Sequence, residues 1–428
     1  MSRNGIRPSR YGTGMDGERS VVLVVPITPA ETGNGLAMRA GMLLDALAPV
    51  AAVHVVIVPV SGPADGCSWT ADRARTVTVV EPVTAEGARD HLTRQLANSE
   101  LRERLHRTVP LPARATLAPP TLAPTIAAAL PDSIEGPAAV LAMRIYLAPL
   151  GVYLARDLSA GRAVIDADDD DATLLRSLGD QESACAFDRL ARTWLPDADA
   201  VFAASEADAA AIAMRAGLDR CDVVPNTVTV PTTVAPRPGI ERLLFVGNLT
   251  YEPNRLAARL LASEILPAVR RQRPAVTLDL VGPHGGTLDD LGGVEGVRVT
   301  DAVADVAPYY ASADVVVVPL RHGTGTRIKV LEAFAHGRPV VATPAAVAGL
   351  DLNPRGIDSD RTVEIAESTP EIARSVSRLL DEPAEAMIER AARLLVTRYS
   401  PTVVAPLLRA AVFGPGADRL AARPVPGG

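Results

Sequence analysis

The hydrophobic pattern of the chain alternates between two periods. Short apolar runs such as Val21–Pro26 and Val315–Val318 are typical of buried parallel strands. Between such runs lie segments with apolar residues roughly three or four positions apart, as in Met38–Leu47, which is typical of a helix face. Its candidate core positions are Met38, Leu43, Leu44 and Leu47. Repeated alternation of this kind predicts an α/β fold with two doubly wound, Rossmann-like domains.

The domain limits follow from breaks in this alternation. Three prolines between Thr229 and Gly239 predict a linker at 231–240, which separates a first domain at 20–230 from a second at 241–396. A further helical pattern at 397–413 predicts a terminal helix. The ends, 1–19 and 414–428, are polar or rich in Gly, Pro and Arg, and we expect them to be disordered.

Composition narrows the class of protein. The 428 residues are 48% hydrophobic and 22% charged, as expected for a globular protein with more than one core. A net charge of −7 argues against a nucleic-acid-binding surface. No apolar run reaches transmembrane length, and the first residues are too polar for a signal peptide. We therefore expect a cytoplasmic protein, with peripheral membrane contact left open.

The most informative stretch is Pro319–Leu350, which follows the apolar run Val315–Val318. A loop with Gly323 and Gly325 leads into a helical pattern at Thr326–Ala335. Glycines let backbone N–H groups approach a phosphate, and a helix N-terminus favours negative charge. The pattern therefore predicts an anion site.

Two basic residues sharpen that prediction. Arg327 and Lys329 fall in the predicted first turn, where a cation is unfavourable unless an anion is bound. Of the 43 basic residues in the sequence, Lys329 is the only lysine. Lysine presents a compact point charge, whereas arginine presents a planar fork, so the two are not equivalent beside a phosphate. We interpret Lys329 as functional.

The segment from Gly323 to Thr343, read GTGTRIKVLEAFAHGRPVVAT, resembles the donor-site motif of glycosyltransferase family 4, whose members have the GT-B fold. The resemblance implies two Rossmann-like domains, a terminal helix that returns to the first domain, a nucleoside diphosphate sugar as co-substrate, no metal or other cofactor, and retention of anomeric configuration. It implies catalytic roles for Arg327, Lys329 and Glu332. Donor-binding positions are then Gly323, Thr324, Gly325, Thr326, Gly247 and Asn248.

One position departs from the family pattern. Members usually carry two glutamates eight positions apart; here Glu332 is the second, but Thr324 occupies the place of the first. The sequence instead resembles a branch that reads G-x-G-T-R-x-K in this loop. Because the first glutamate usually contacts the donor sugar, the identity of that sugar stays open.

The first domain offers candidates on the acceptor side. Gly33, Asn34 and Gly35 follow the first predicted strand, and they form either a tight turn or the glycine-rich loop that similar enzymes place against donor phosphates and acceptor. Arg144 ends another predicted strand, where it either faces a cleft or forms a surface ion pair.

An acidic run, Asp166–Asp171, follows a predicted strand at Ala163–Ile165. Three interpretations apply: capping of the next helix, a role in the cleft as in many relatives, and metal binding. The spacing excludes an EF-hand. We take Asp166 and Asp169 as acceptor-side candidates and predict no metal site.

The sequence thus predicts transfer of a sugar from a nucleoside diphosphate sugar to a hydroxyl of a glycan, a lipid-linked or a small-molecule acceptor. A sugar-nucleotide epimerase of the same fold and a catalytically silent nucleotide-binding subunit are the alternatives. An epimerase would convert the donor without an acceptor, and a silent subunit would bind nucleotide and transfer nothing.

Overall fold

The structure is a computed structural model that describes residues 19–62, 64, 68–83, 87, 99–108, 111–131, 134, 136–322, 327–350, 352, 361–382 and 384–415. Contacts divide the described chain into two compact units. The first comprises the described residues up to Glu31, Leu36–Pro225 and those from Ala405 onward. The second comprises Thr32–Gly35 and Asn226–Val404. The predicted disordered ends lie almost wholly outside the described residues, and the predicted domain limits stay predictions.

The described part of the first unit is built on a seven-stranded parallel sheet in the order β3-β2-β1-β4-β5-β6-β7. The strands are β1 Ser20–Val25, β2 Ala52–Ile57, β3 Thr76–Val79, β4 Ala139–Met143, β5 Ala163–Asp168, β6 Ala200–Ala203 and β7 Asp222–Val223. Strands β1 and β4 are almost completely buried, which explains their near-continuous apolar sequence. Strand β5 is also buried, although it includes Asp166 and Asp168.

Helices cover this sheet. They are α1 Gly35–Leu47, α2 Ser68–Arg73, α3 Ser99–Thr108, α4 Ala113–Leu117, α5 Ala123–Ala129, α6 Ala148–Asp157, α7 Asp171–Ser177, α8 Gln181–Trp194 and α9 Glu206–Ala216. The core prediction for α1 is correct at Leu43, Leu44 and Leu47, whereas Met38 is only half-buried and its neighbour Arg39 is buried. Arg39 is buried because it has carboxylate partners there.

The described part of the second unit repeats the plan with a six-stranded parallel sheet in the order β10-β9-β8-β11-β12-β13. Its strands are β8 Arg242–Val246, β9 Thr277–Val281, β10 Val297–Thr300, β11 Val315–Val318, β12 Val340–Ala342 and β13 Glu364–Ile365. Its helices are α10 Glu252–Leu260, α11 Leu266–Arg270, α12 Ala307–Ala311, α13 Ile328–Ala335, α14 Pro344–Val347, α15 Thr369–Asp381 and α16 Glu385–Leu394. A π turn, Leu261–Ile265, joins α10 to α11. The last helix, α17 Pro401–Phe413, passes from residues of the second unit to residues of the first.

Both sheets reverse their strand order at one point. In the first the reversal lies between β1 and β4, and in the second between β8 and β11. In open α/β sheets, ligands bind beyond the carboxyl ends of the strands at such a switch point. The loops after β8 and β11 are therefore the first places to look for a site in the second unit.

Among the helices that the structure describes, none is both long and apolar enough to cross a membrane. The cytoplasmic location stays a prediction.

Candidate functional site

The loops at the second switch point bring Lys329 against Gly247. Lys329 is the second residue of α13, and Gly247 directly follows β8. A Cβ atom at Gly247 would lie 2.8 Å from Lys329 Nζ, closer than real Cβ contacts come. Glycine is therefore required at this position so that the ammonium group can lie against the end of the strand.

Among the described residues, two groups hold the Lys329 ammonium. Its Nζ donates a 2.6 Å hydrogen bond to Oδ1 of Asn254, near the start of α10. Nζ also lies 4.4 Å from the ring centroid of the buried Phe245 in β8, within the range of a cation–π contact. Asn254 is itself oriented, because its Nδ2 donates to the backbone oxygen of Asn248 at 2.8 Å. These contacts fix the ammonium without placing an anion on it.

Glu332 lies one turn further along α13 and bonds to a different group. The Tyr310 hydroxyl, from α12, donates to Glu332 Oε2 at 3.1 Å. Tyr310 is fully buried and stacks on His336, with ring centroids 4.8 Å apart. On the helix alone Glu332 could pair with Lys329, but the hydrogen bonds of the two side chains go to Tyr310 and Asn254 instead.

Burial displaces the pKa values of both charged groups. Burial, together with the nearby Arg327 charge, lowers the pKa of Lys329 to about 7 against the opposing effect of Glu332. Burial raises the pKa of Glu332 to about 7, although the Tyr310 hydrogen bond and the Lys329 charge oppose the rise. A strongly shifted lysine and glutamate on one helix turn are typical of a functional site.

The structure describes only some of the remaining residues that were predicted to bind the donor. Gly323, Thr324, Gly325 and Thr326 lie outside the described residues. Asn248 contributes its backbone oxygen to Asn254, while its side-chain oxygen accepts from the Thr250 amide at 3.0 Å and hydroxyl at 2.7 Å. Its side chain therefore closes the turn after β8.

The helix boundary differs from the prediction. Helix α13 begins at Ile328, and Arg327 is the N-cap residue, with φ −78° and ψ 85°. The prediction that both basic residues lie in the first turn is correct for Lys329 and wrong for Arg327. At the N-cap position Arg327 adopts a non-helical backbone, which the apolar periodicity could not reveal.

The loop of Gly33, Asn34 and Gly35 belongs to the second unit by its contacts, whereas strand β1 before it and helix α1 from Leu36 onward belong to the first. A Cβ atom at Gly35 would lie 3.4 Å from Cδ1 of Ile328, the first residue of α13. Gly33 has φ +101°, a left-handed conformation that favours glycine and fits the tight-turn interpretation. The loop therefore approaches the helix that carries Lys329.

In the first unit, Asp166 forms a buried ion pair that the sequence did not reveal. Arg39 Nε and Nη2 each donate to one Asp166 oxygen at 2.7 Å, and both residues are at most 1% exposed. Arg39 Nε also lies 3.1 Å from Asp168 Oδ1. Strand β5 accordingly extends through Asp168 rather than ending at Ile165, since bidentate pairing with arginine makes a buried carboxylate tolerable.

Arg144 completes this network at the end of β4. It pairs with Asp168 at 2.8 Å and Asp169 at 3.2 Å, and also with Asp171. The ion-pair interpretation of Arg144 is correct, but the pairs are buried rather than on the surface, since Arg144 is 8% exposed. Burial and the neighbouring Asp169 charge raise the pKa of Asp168, although the two arginines oppose the rise.

The capping interpretation of the acidic run also holds. Asp170 is the N-cap residue of α7, and its side chain accepts from the Thr173 amide. Arg144 and Asp168 have φ values of +78° and +60°, an unfavourable backbone conformation for both. Among the described residues, no three His, Cys, Asp or Glu side chains are placed to hold a metal ion. Acceptor-side roles for Arg144, Asp166 and Asp169 stay predictions.

Sequence reasoning missed four residues that shape these two clusters: Asn254, Tyr310, Arg39 and Asp168. Neither Asn254 nor Tyr310 belongs to a motif recognised in the sequence. A signal existed for Arg39, because an arginine inside an otherwise apolar helix face needs a buried partner.

The comparisons with known proteins agree with this architecture. Residues 240–382 match the family described as glycosyl transferases group 1. A search of curated protein sequences found no match.

Solved structures resemble the chain over nearly its whole length. HepE of Anabaena, in complex with UDP and glucose, is 15% identical with a TM-score of 0.61, covering 95% of this chain and 100% of that chain. Sucrose-phosphate synthase from Thermosynechococcus elongatus is 16% identical with a TM-score of 0.65, covering 91% and 96%. The α,α-trehalose 6-phosphate synthase from Burkholderia multivorans is 15% identical with a TM-score of 0.63, covering 94% and 100%.

At these identities the likeness concerns the fold. It agrees with the two parallel sheets described above, each with flanking helices. Residues 240–382 thus match the glycosyl transferases group 1 family, and the chain has the two-sheet fold of these GT-B structures.

Proposed function

We propose that the protein transfers a sugar from a nucleoside diphosphate sugar to an acceptor hydroxyl, with retention of configuration and without a metal cofactor. The observation that carries the proposal is the Lys329 ammonium, held by Asn254 and Phe245 at the carboxyl end of β8. The HepE structures, one with UDP and glucose and one with UDP-glucose, support a nucleotide sugar as donor.

In this proposal Lys329 binds the donor diphosphate. Because its hydrogen-bond partner Asn254 is neutral, the positive charge is left for an anion. The pKa of about 7 means that the unliganded amine is partly deprotonated at neutral pH. A bound diphosphate would raise that pKa, since a nearby anion favours the protonated form.

Lys329 would then act in the reaction as well as in binding. When the glycosidic bond breaks, negative charge accumulates on the leaving diphosphate. A cation fixed beside that position stabilises the transition state more than the ground state, and such a charge costs no reorganisation during the reaction. Arg327 at the N-cap and the first amides of α13 add positive potential on the same side.

We assign Glu332 to the ribose hydroxyls of the donor, as the family resemblance implies. A carboxylate accepts hydrogen bonds. The Tyr310 hydroxyl donates to Oε2, and in the described part of the chain no donor reaches Oε1, which can therefore accept from a ligand. A ribose hydroxyl that donates to Glu332 would favour its ionised form and so lower the raised pKa.

Metal independence rests on the charge arrangement. In the acidic run, the carboxylates of Asp166, Asp168, Asp169 and Asp171 pair with Arg39 or Arg144, and Asp170 caps α7. Positive charge at the proposed donor site comes from Lys329 and Arg327. Retention follows from the resemblance and requires product analysis.

The first test is a thermal-shift screen with UDP, GDP, ADP and dTDP. A nucleotide at about a hundredfold excess over its dissociation constant stabilises the folded state by roughly 2.7 kcal/mol. The matching nucleotide sugar is then incubated with and without candidate acceptors, and the anomeric configuration of the product is read by NMR. Conversion of donor to an isomer without acceptor would point to an epimerase, and binding without turnover against all acceptors to a silent subunit.

A further inference from the structure

One hydroxyl group of the second unit joins helix α12 to the helix that carries the proposed donor-binding residues. The Tyr310 hydroxyl donates a 3.1 Å hydrogen bond to Oε2 of Glu332, 22 positions later in the chain. Among the described residues, the other acceptor within its reach is the Lys329 backbone oxygen, at 3.4 Å. A hydroxyl has one hydrogen to donate, and the shorter contact to a charged oxygen is the stronger one. Tyr310 therefore supports the ionised form of Glu332.

The position of the Tyr310 ring is fixed by packing. Tyr310 is fully buried, and its ring stacks on that of His336, with 4.8 Å between the centroids and 5° between the planes. His336 is the C-cap residue of α13, so the helix that carries the carboxylate also carries the stacking partner. Burial and the Arg338 charge lower the pKa of His336, so its ring is uncharged at neutral pH. The Tyr310 hydroxyl thus lies at a fixed point beside Glu332.

The Glu332 carboxylate is held at one oxygen and open at the other. In the described part of the chain no donor reaches Oε1, and Glu332 is only partly buried. The hydrogen bond at Oε2 fixes the plane of the carboxylate. Two neighbouring hydroxyls of a ligand could then donate one hydrogen bond to Oε1 and one to the second lone pair of Oε2. A ribose presents such a pair at its 2′ and 3′ positions.

We propose that Tyr310 is a positioning residue, which holds Glu332 so that the site selects ribonucleoside diphosphate sugars over their 2′-deoxy counterparts. This inference rests on the proposed function, in which Glu332 binds the donor ribose. A site built to accept a substrate hydroxyl rejects an analogue that lacks it, because a polar group of the site is then left without a partner. Since Tyr310 is fully buried, it acts through Glu332 rather than on the donor.

The groups around Glu332 give this role a pH signature. The Tyr310 hydrogen bond and the Lys329 charge oppose the effect of burial on the pKa of Glu332, which is about 7. Helix α13 also packs against α16, β12 and the turn Leu395–Tyr399. The titratable side chains of these elements are Glu385, Glu389, Arg390, Arg393, Arg398 and Tyr399. Among the described residues, none of these six contributes to the shift of the Glu332 pKa. Loss of the Tyr310 hydroxyl should therefore raise that pKa, and with it the pH needed for ribose binding.

Three substitutions isolate the hydrogen bond. Tyr310→Phe keeps the ring and its stack on His336 and removes only the hydroxyl. Tyr309→Phe is the matched control, because it removes a neighbouring hydroxyl that has no hydrogen bond to any described residue. The Tyr309 ring contacts the Arg298 guanidinium instead, at 5.9 Å from its centroid. Glu332→Gln removes the titrating partner of the same hydrogen bond.

The experiment compares two ligands that differ in one hydroxyl. The full-length proteins are titrated by calorimetry with UDP and with 2′-deoxy-UDP from about pH 6 to about pH 8, on either side of the pKa of Glu332. If the thermal-shift screen selects another base, that diphosphate and its 2′-deoxy form are used. Both ligands carry the same phosphates, so phosphate titration and the Lys329 charge cancel in the ratio of the two dissociation constants. The pH dependence of this ratio therefore reports the ionisation of Glu332.

We expect the parent and Tyr309→Phe to bind UDP at least about tenfold more tightly than 2′-deoxy-UDP near pH 7. In Tyr310→Phe the preference should fall to about threefold or less at that pH, and its midpoint should move up by about one pH unit. Glu332→Gln should lose both the preference and its pH dependence. A merely structural role of Tyr310 would lower the melting temperature or weaken both ligands equally, and it would leave the ratio and its midpoint unchanged.

Two results would overturn this inference while sugar transfer stands. One is an equal preference and midpoint in Tyr310→Phe and Tyr309→Phe, and the other is a parent protein that binds UDP and its 2′-deoxy form alike. A parent that binds none of the four diphosphates of the screen would overturn the proposed function, and this inference with it. Should Tyr310→Phe not fold, Glu332→Gln decides: a retained preference overturns the inference, and a lost one supports it.

Discussion

The Nζ atom of Lys329 lies 2.6 Å from Oδ1 of Asn254, a residue 75 positions earlier in the chain. The amide oxygen is neutral, so it orients the ammonium group without neutralising it. A carboxylate in the same place would hold the cation more strongly, but it would repel a diphosphate. A neutral acceptor at Asn254 is therefore consistent with a Lys329 ammonium whose positive charge binds an anionic ligand.

Replacing Lys329 tests its role in the reaction. We expect Lys329→Ala to lower kcat/KM at least about a hundredfold, or ~2.7 kcal/mol of transition-state stabilisation. Lys329→Arg should restore activity only in part, because a planar fork cannot occupy the same point beside Gly247. Steady-state kinetics and a melting curve are measured on the same preparation. A folded Lys329→Ala variant with full activity would exclude the proposed role.

The pH dependence of turnover gives a second test of the role of Lys329. Only the protonated form of Lys329 is a cation, and its pKa in the unliganded protein is about 7. Because ribose binding is proposed to favour ionised Glu332, whose pKa is also about 7, we expect kcat/KM for the donor to reach a maximum near pH 7 and to fall on the alkaline side as Lys329 loses its proton. The corresponding limb of kcat should lie at higher pH, because the bound diphosphate raises the pKa in the complex.

Lys329→Arg serves as the control for this limb, since arginine stays charged throughout the range. Loss of the limb in that variant assigns it to Lys329. Persistence of the same limb at the same pH would assign it to another group.

The close approach of Gly247 predicts a site-specific effect of a single methyl group. In Gly247→Ala the new Cβ would lie 2.8 Å from Lys329 Nζ and 3.0 Å from Asn254 Nδ2, so the ammonium must move. We expect weaker donor binding by about tenfold or more with the fold retained, measured by calorimetry with the nucleotide identified in the screen. Gly292→Ala, where the added Cβ meets nothing within 4 Å, is the matched control. Equal affinities of the two variants would contradict the described packing.

The buried pair of Arg39 and Asp166 predicts a large loss of stability. Arg39→Met leaves the Asp166 carboxylate buried without its bidentate partner, which should lower the free energy of unfolding by roughly 3–5 kcal/mol. The exposed pair of Arg73 and Asp45 supplies a control, since Arg73→Met should cost at most about 1 kcal/mol. Urea unfolding of both variants gives the comparison, and similar losses would show that the Asp166 carboxylate relaxes into solvent.

Chelation tests the source of positive charge at the donor site. We expect turnover to persist in EDTA, because Lys329, Arg327 and the amides of α13 are proposed to neutralise the diphosphate. The assay compares initial rates in EDTA with rates in added Mg²⁺ or Mn²⁺. Complete loss in EDTA that either ion reverses would return the acidic run, Asp166–Asp171, to consideration as a metal site.

Much of the fold could be predicted from the sequence, because long apolar runs such as Val315–Val318 are strands in almost any context. Predictions from local patterns failed where the structure of a segment depends on a partner that is far away in the sequence. Strand β5 continues into Asp166 and Asp168 because Arg39, 127 positions before Asp166, pairs with both. Hydrophobic patterning ended that strand at Ile165, since a carboxylate without a visible partner argues against burial.

The candidate site, too, could be predicted only in part from the sequence. Lys329 could be singled out from composition and from the glycine loop before it. Its acceptor Asn254 and the reason for Gly247 depend on the end of β8 meeting the start of α13, a contact between separate parts of the chain. Local periodicity carries no information about such a contact, which explains why the hydrogen bond between Lys329 and Asn254 could not be predicted.

The enclosed ammonium group also makes the proposed donor position chemically addressable. An ordinary lysine, with a pKa near 10.4, is almost wholly protonated at neutral pH, whereas the pKa of Lys329 is about 7. Since the sequence contains no second lysine, a mild acylating reagent would modify one side chain without any engineering. A bound diphosphate would keep that amine protonated and cover it. The mass of a single peptide would then measure occupancy by the sugar nucleotide directly, even when no acceptor is known.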